Sequence, residues 1–109
     1  MAADFYLKKG DTNNVLEATL RDVNGVVVNL TGATVVFSMM NAASTVKVSL
    51  AACTIVTAAA GLVSYAWVAA DVNTAGTYRG EFQVTYSGGG IQTFPNDSYI
   101  EVEITADVA

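Results

Sequence analysis

The sequence predicts an all-β fold, an immunoglobulin-like antiparallel β-sandwich. Apolar and polar residues alternate in short runs along most of the chain, and a strand points successive side chains to opposite faces of its sheet. Turn-forming residues separate these runs at short and regular intervals, a pattern typical of a sandwich or a barrel. We expect about eight short strands in one domain over the 109 residues, with a core at 6–104.

The clearest strands lie in residues 76–104. In the first of them the apolar positions are Tyr78, Gly80, Phe82, Val84 and Tyr86, and the polar positions are Thr77, Arg79, Glu81, Gln83 and Thr85. Three glycines, Gly88–Gly90, then allow the chain to reverse. In the second strand Ile100, Val102 and Ile104 alternate with Tyr99, Glu101 and Glu103. The alternation predicts that the apolar sets face the core and that the polar sets form an outer, wet face.

The first half of the chain shows the same pattern. Residues 4–8 predict a short first strand or a docked arm, and residues 16–20 a strand with one buried face. Asn24 and Gly25 are a strong hairpin signal because both residues tolerate positive φ. The further elements expected here are a polar turn at 11–14, a returning strand at 26–30, a strand at 33–40 and a turn at 41–44.

The middle of the chain is rich in alanine, so its structure is less clearly marked. Residues 46–50 and 53–57 predict weaker strands. The alanines leave a helix in 50–60 open, but a β-branched run at 54–57 favours a strand. The alternation that starts at Gly61 predicts a strand, and residues 69–75 predict a short helical turn or a loop.

Composition and charge limit the function classes. Charged residues make up 14% of the chain, against about 25% in ordinary soluble domains, so we expect partners to cover part of the surface. The net charge is −5, with five scattered cations, which disfavours nucleic acid and anionic membranes. No apolar run reaches the roughly 18 residues of a membrane span, and the start lacks a secretory signal. We therefore expect synthesis in a cytoplasm without secretory export.

Candidate catalytic groups are few. The chain has no histidine and one cysteine, Cys53, which we interpret as a small buried residue because no base accompanies it. Glu101 and Glu103 share a strand face and could form a carboxylate pair for glycoside hydrolysis, but a solvated face is the favoured interpretation. We expect no enzyme activity and no cofactor.

Three further patterns have a functional and a structural interpretation. Asn96, Asp97 and Glu101 could bind Ca²⁺, although turn chemistry is favoured. The three glycines lack the helix and the lysine of a phosphate-binding loop, so a hairpin turn is favoured. The aromatic residues could form a sugar-stacking platform, but their inward positions favour the core; they are Tyr65, Trp67, Tyr78, Phe82 and Tyr86. We expect Tyr99 to be exposed.

Asp71 and the segment Gly76-Thr77-Tyr78 resemble the tyrosine corner of immunoglobulin-like sandwiches. In that corner the tyrosine hydroxyl bonds to the backbone a few residues upstream. Gly80 stands where antibody domains have a cysteine. The sequence therefore predicts a structural role for Tyr78 in a sandwich that has no disulfide between its sheets.

Several short segments together resemble the N-terminal domain of phage baseplate upper proteins. They extend over roughly residues 6–104 and are Leu20-Arg21-Asp22, Asn24-Gly25, Asn29–Ala33, Gly61–Tyr65, Asp71, Ala75–Tyr78, Phe82 and Thr93–Tyr99. The resemblance implies a non-enzymatic, immunoglobulin-like domain that builds tailed-phage particles and joins the tail or baseplate to receptor-binding parts. It implies a virion location, other virion proteins as partners, and a possible homo-oligomer.

The contact surface expected for such a module is the outer face of the two C-terminal strands. Its residues are Arg79, Glu81, Gln83, Tyr99, Glu101 and Glu103.

Two alternatives to this function remain open. One is a carbohydrate- or host-surface-binding adhesin module. The other is a tail or capsid accessory protein, because members of the family usually continue into further domains.

Overall fold

The computed structural model describes residues 5–13, 15–95 and 99–106. They form nine strands and two short 3₁₀ turns. The strands are β1 (Phe5–Lys8), β2 (Val15–Thr19), β3 (Thr34–Asn41), β4 (Val46–Ala52), β5 (Thr54–Thr57), β6 (Leu62–Ala66), β7 (Gly76–Thr85), β8 (Ile91–Phe94) and β9 (Ile100–Thr105). The 3₁₀ turns are Ala58–Ala60 and Ala69–Asp71. In the described part of the chain no helix is long and apolar enough to cross a membrane.

The strands form two packed sheets, which confirms the predicted all-β sandwich. The larger sheet has the order β1-β9-β7-β3-β4, with β8 also paired to β7, and the smaller has the order β2-β6-β5. The described strand pairs are antiparallel except β1 with β9, where Phe5 lies opposite Val102 in a parallel register. The parallel direction of this pair was not predicted, because β1 and β9 come from opposite ends of the sequence and alternation carries no direction.

The core lies between the sheets and is centred on aromatic rings. Phe37 lies 4.9 Å from Tyr65, 5.8 Å from Trp67 and 5.1 Å from Phe82, measured between ring centroids. These rings, and that of Tyr78, are buried. They are therefore part of the core and do not form a surface platform for sugars.

The segment after β2 reverses at Asn24 and Gly25 as predicted, with Asp22 N–H bonded to Val26 O at 2.9 Å, but the pairing beyond the turn is short. A single bridge, between Arg21 and Val27, replaces a returning strand. The Asp22 carboxylate accepts hydrogen bonds from the backbone N–H groups of Asn24 and Val26, at 2.9 and 3.0 Å. Leu30 instead donates its N–H to Ala58 O at 2.9 Å, so the chain leaves β2 and docks on the first 3₁₀ turn.

A buried carboxylate fixes the second 3₁₀ turn. Asp71 accepts hydrogen bonds from the Tyr65 hydroxyl at 2.5 Å and from the Val68 N–H at 3.1 Å. Burial and, second to it, the bond to Asp71 raise the pKa of Tyr65 well above its usual range. Both partners of Asp71 lie at the end of β6 or just after it, so the contact ties the loop to the smaller sheet.

Cys53 is partly buried, which raises the pKa of its thiol from 9.0 to about 12. A raised folded-state pKa means that the unfolded chain ionises first. The contribution of the neutral Cys53 thiol to the free energy of unfolding is then complete below about pH 9 and declines as the pH rises towards about 12. We expect the free energy of unfolding to fall between pH 8 and 10.5, and to fall less in Cys53→Ala. Urea unfolding at both pH values measures the difference; equal losses in the two proteins would contradict this assignment.

Candidate interaction face

The candidate site is the outer face of the larger sheet, where β7 and β9 lie side by side. In this antiparallel pair Arg79 lies opposite Glu101, and Thr77 opposite Glu103. The intervening Tyr78 points into the core, so alternation directs its neighbours outward. We call the cluster of Arg79, Glu81, Tyr99 and Glu101 the Arg79 face.

Arg79 is held in place on this face by contacts from both sides. Its Nη2 donates to Ser44 Oγ at 3.2 Å and to Asn41 O at 3.4 Å, both at the turn between β3 and β4. Its Cζ lies 5.6 Å from the ring centroid of Tyr99, within the range of a cation–π contact. Its Nε is buried and has no hydrogen-bond partner. The side chain is therefore largely ordered before any partner binds.

Two shallow depressions flank the Arg79 side chain. One, of about 120 Å³, is lined by Met40, Arg79, Glu81 and Tyr99. The other, of about 230 Å³, adds Ala42, Thr77 and Glu101 to Arg79 and Tyr99. Both are smaller than the pockets of about 300–1,000 Å³ that hold small molecules. Their size suits single side chains of a protein partner.

The six predicted face residues do not all lie in one cluster. Arg79, Glu81, Tyr99 and Glu101 line these two depressions, and Glu103 lies one rung further along, opposite Thr77. Gln83 follows Glu81 at the next position of the same parity on β7 but lines neither depression. At Gln83 the neighbour of β7 is β8 and no longer β9. The sequence did not point to Asn41 and Ser44, which hold the arginine from another strand pair.

Tyr78 lies beneath this face and binds the preceding loop. Its hydroxyl donates to Thr74 O at 2.7 Å, a bond of the kind that a tyrosine corner makes. Burial raises the pKa of Tyr78. The bond joins the start of β7 to the loop before it, and so fixes where the strand carrying Arg79 begins.

Replacing Tyr78 with phenylalanine is expected to lower the free energy of unfolding by about 1–2 kcal/mol, because the Thr74 carbonyl then loses its donor. Chemical denaturation measures the change. Tyr99→Phe is the matched control: Tyr99 is 46% exposed, and such a change should stay within about 0.5 kcal/mol. Equal effects of the two substitutions would argue against the Tyr78 bond.

The other candidates from the sequence do not form sites in the described residues. Asn96 and Asp97 lie outside those residues. Within them no group of three or more potential metal ligands comes together. The glycine segment closes the turn between β7 and β8, where Tyr86 and Gly90 share a 2.8 Å backbone bond. The predicted hairpin turn is thus present at Gly88–Gly90.

Comparison with known proteins first places the fold in a structural class and then in a family. The crystal structure of CopC from Methylosinus trichosporium OB3b has a similar β-sandwich, with a TM-score of 0.57 and 12% identity over 99% of this chain and 89% of that one. At this identity the likeness concerns the fold alone. The chain belongs to the BppU N-terminal domain family, which it matches over residues 2–104. No curated protein matches it.

This membership confirms the resemblance to the phage baseplate upper protein. The chain is a phage baseplate protein module of a generally non-enzymatic structural family. Membership also implies association with other virion proteins.

Proposed function

We propose that this domain is an assembly module of a tailed-phage particle, in the baseplate or as a tail accessory protein, and that the Arg79 face is its contact with another virion protein. The observation that carries the proposal is an arginine held over an exposed tyrosine at the centre of a sheet face, in a chain of a baseplate family.

The chemistry of this face suits a protein partner. Arginine and tyrosine are enriched among the residues that contribute most to protein interfaces. Because Ser44, Asn41 and Tyr99 already restrain Arg79, binding costs less side-chain entropy there. Glu81 and Glu101 beside it give the face mixed charge. The complementary partner surface would therefore present both an acidic and a basic group.

The proposal is tested in phage particles assembled with variant copies of the gene. We expect Arg79→Ala and Tyr99→Ala each to reduce the copies of this chain per particle about tenfold, a loss typical of a central interface residue. Quantitative mass spectrometry of purified particles measures the copies. Val23→Ala, in the exposed turn after β2, is the control and should match the wild type.

Two outcomes separate the parts of this proposal. If the wild-type chain is absent from purified particles, the virion role itself is wrong. If the chain is present and folded Arg79 and Tyr99 variants reach wild-type copy number, the role stands and the contact face lies elsewhere. Thermal melts of the purified variants show whether they are folded.

A further inference from the structure

We propose that the free edge of β2 accepts an added strand, an extended segment of another protein with apolar side chains at alternate positions and a basic residue beside Glu17. This second surface goes beyond the Arg79 face. It lies on the smaller sheet, so an experiment can reject one of the two binding surfaces and leave the other standing.

Among the described residues five strands have a neighbour on one side only, and β2 is the one best suited to pairing. β8 has four residues and is followed directly by Pro95, and proline at an edge discourages pairing. β4 and β5 both have register shifts against their neighbours, and irregular edges discourage pairing. β1 has four residues and ends in Lys8, a further protective feature. β2 pairs with β6 over five consecutive residues without a shift and contains no proline. Its outer edge is therefore regular.

The backbone groups that face outward along β2 follow from its pairing. Leu20 donates its N–H to Gly61 O at 2.8 Å, which continues the register of β2 with β6. In an antiparallel pair the bonded residues alternate, so Leu16 and Ala18 direct their backbone groups to β6. Val15, Glu17 and Thr19 direct theirs to the outer edge, where an added strand would find three donors and three acceptors.

An apolar groove runs beside this edge. It has a volume of about 370 Å³ and lies between β2 and the inner face of the larger sheet. Leu16, Leu20, Phe82 and Phe94 line it from within the core and are almost fully buried. Phe5, Pro95 and Ile100 line it with partly exposed side chains. Because the larger sheet is wider than the smaller one, it extends past β2. An added strand would therefore place every second side chain on an apolar floor.

The greater width of the larger sheet favours a single extended segment of another protein as the occupant over a second copy of this chain. Pairing two β2 edges would bring a second larger sheet into the space that the first one fills. Charge narrows the partner further, because Glu17 and Arg21 also border the groove. Opposite charges on neighbouring strands stabilise a pair, so the added segment carries a basic residue beside Glu17. A basic segment is also attracted to this chain as a whole, because the net charge of the chain is −5.

The probe is an acetylated and amidated heptapeptide with valine at positions two, four and six, lysine at position three and threonine elsewhere. We expect saturable binding to the full chain by NMR titration, with slowed amide exchange at Glu17 and Thr19. Thr19→Pro, which removes an outward donor, should weaken binding at least tenfold. Thr19→Val keeps that donor and nearly the same shape, and should bind as the wild type does.

Several results would overturn the proposal. One is equal binding of a peptide with the same composition and its three valines adjacent. Another is wild-type binding by folded Thr19→Pro, or peptide-induced shifts confined to the Arg79 face. If Thr19→Pro does not fold, the wild-type exchange rates decide: unchanged amide exchange at Glu17 and Thr19 under saturating peptide rejects the added strand.

Discussion

Replacing Gly61 with alanine is expected to lower the free energy of unfolding by about 2–5 kcal/mol, the sum of a backbone cost and a steric cost. Gly61 has φ +67°, the left-handed region, which costs an L-residue about 1–2 kcal/mol. An added Cβ would also lie 2.8 Å from Val28 O and 2.9 Å from Leu20 O. Both are backbone atoms that cannot rotate away, and relieving such overlap costs about 1–3 kcal/mol.

The backbone around Gly61 has little freedom to move. Leu20 donates to Gly61 O at 2.8 Å, and Leu20 O accepts from Val28 N at 2.9 Å. Any shift that made room for a methyl group would lengthen these bonds. The loss would be a large fraction of the roughly 5–15 kcal/mol that stabilises a small domain.

Two other glycines of the chain separate the two costs. Gly25 has φ +81° with nothing within 4 Å of an added Cβ, so Gly25→Ala should cost only the backbone part, about 1–2 kcal/mol. Gly88 has neither constraint, so Gly88→Ala should be neutral or stabilising by up to about 1 kcal/mol. Urea unfolding of the three variants measures the series. A Gly61 variant no less stable than the Gly25 variant would show that the steric contact is relieved.

Sequence alternation was sufficient to predict the faces of the strands but not their partners. Tyr78, Phe82 and Val102 are buried as their positions predict, because a period of two is a local property of the backbone. The parallel pairing of β1 with β9 depends on contacts between the two ends of the chain. The change of partner along β7, from β9 to β8, depends on the registers of three separate strands, which no local pattern contains.

The candidate face was predictable as a set of outward side chains, whereas its arrangement was not. Arg79 and Tyr99 each belong to the outward set of their own alternating run, but their contact depends on the register of β7 with β9. The residues that hold the arginine are more distant still, since Ser44 lies 35 positions away in the sequence. Asp71 was singled out in the sequence, but its burial and its bond to Tyr65 were not predicted, because a carboxylate in a loop is ordinarily exposed.

The second large effect is expected at Phe37, the fully buried ring at the centre of the core. Phe37→Ala should lower the free energy of unfolding by about 3–5 kcal/mol, the usual cost of removing a buried phenylalanine and leaving a cavity. The ring contacts both sheets through Tyr65, Trp67 and Phe82, so no single element can move inward to fill the space.

Gly80 shows how closely the larger sheet packs on that ring. A Cβ at Gly80 would lie 2.8 Å from Cε1 and Cζ of Phe37, so the glycine leaves room for the aromatic side chain. We expect Gly80→Ala alone to cost about 1–3 kcal/mol through overpacking. In the Phe37→Ala background the same methyl group enters the vacated space, where it removes cavity surface and meets no ring.

The double variant therefore tests the contact directly. If Phe37 and Gly80 are sterically coupled, the double variant should be more stable than the sum of the single effects predicts, by about 1–3 kcal/mol. Chemical denaturation of the four proteins in the cycle measures this coupling. Gly88→Ala in both backgrounds is the control, and its effect should be the same in each. Additive effects at Gly80 would mean that the ring moves aside freely, contrary to a core in which Phe37 is fixed by three aromatic neighbours.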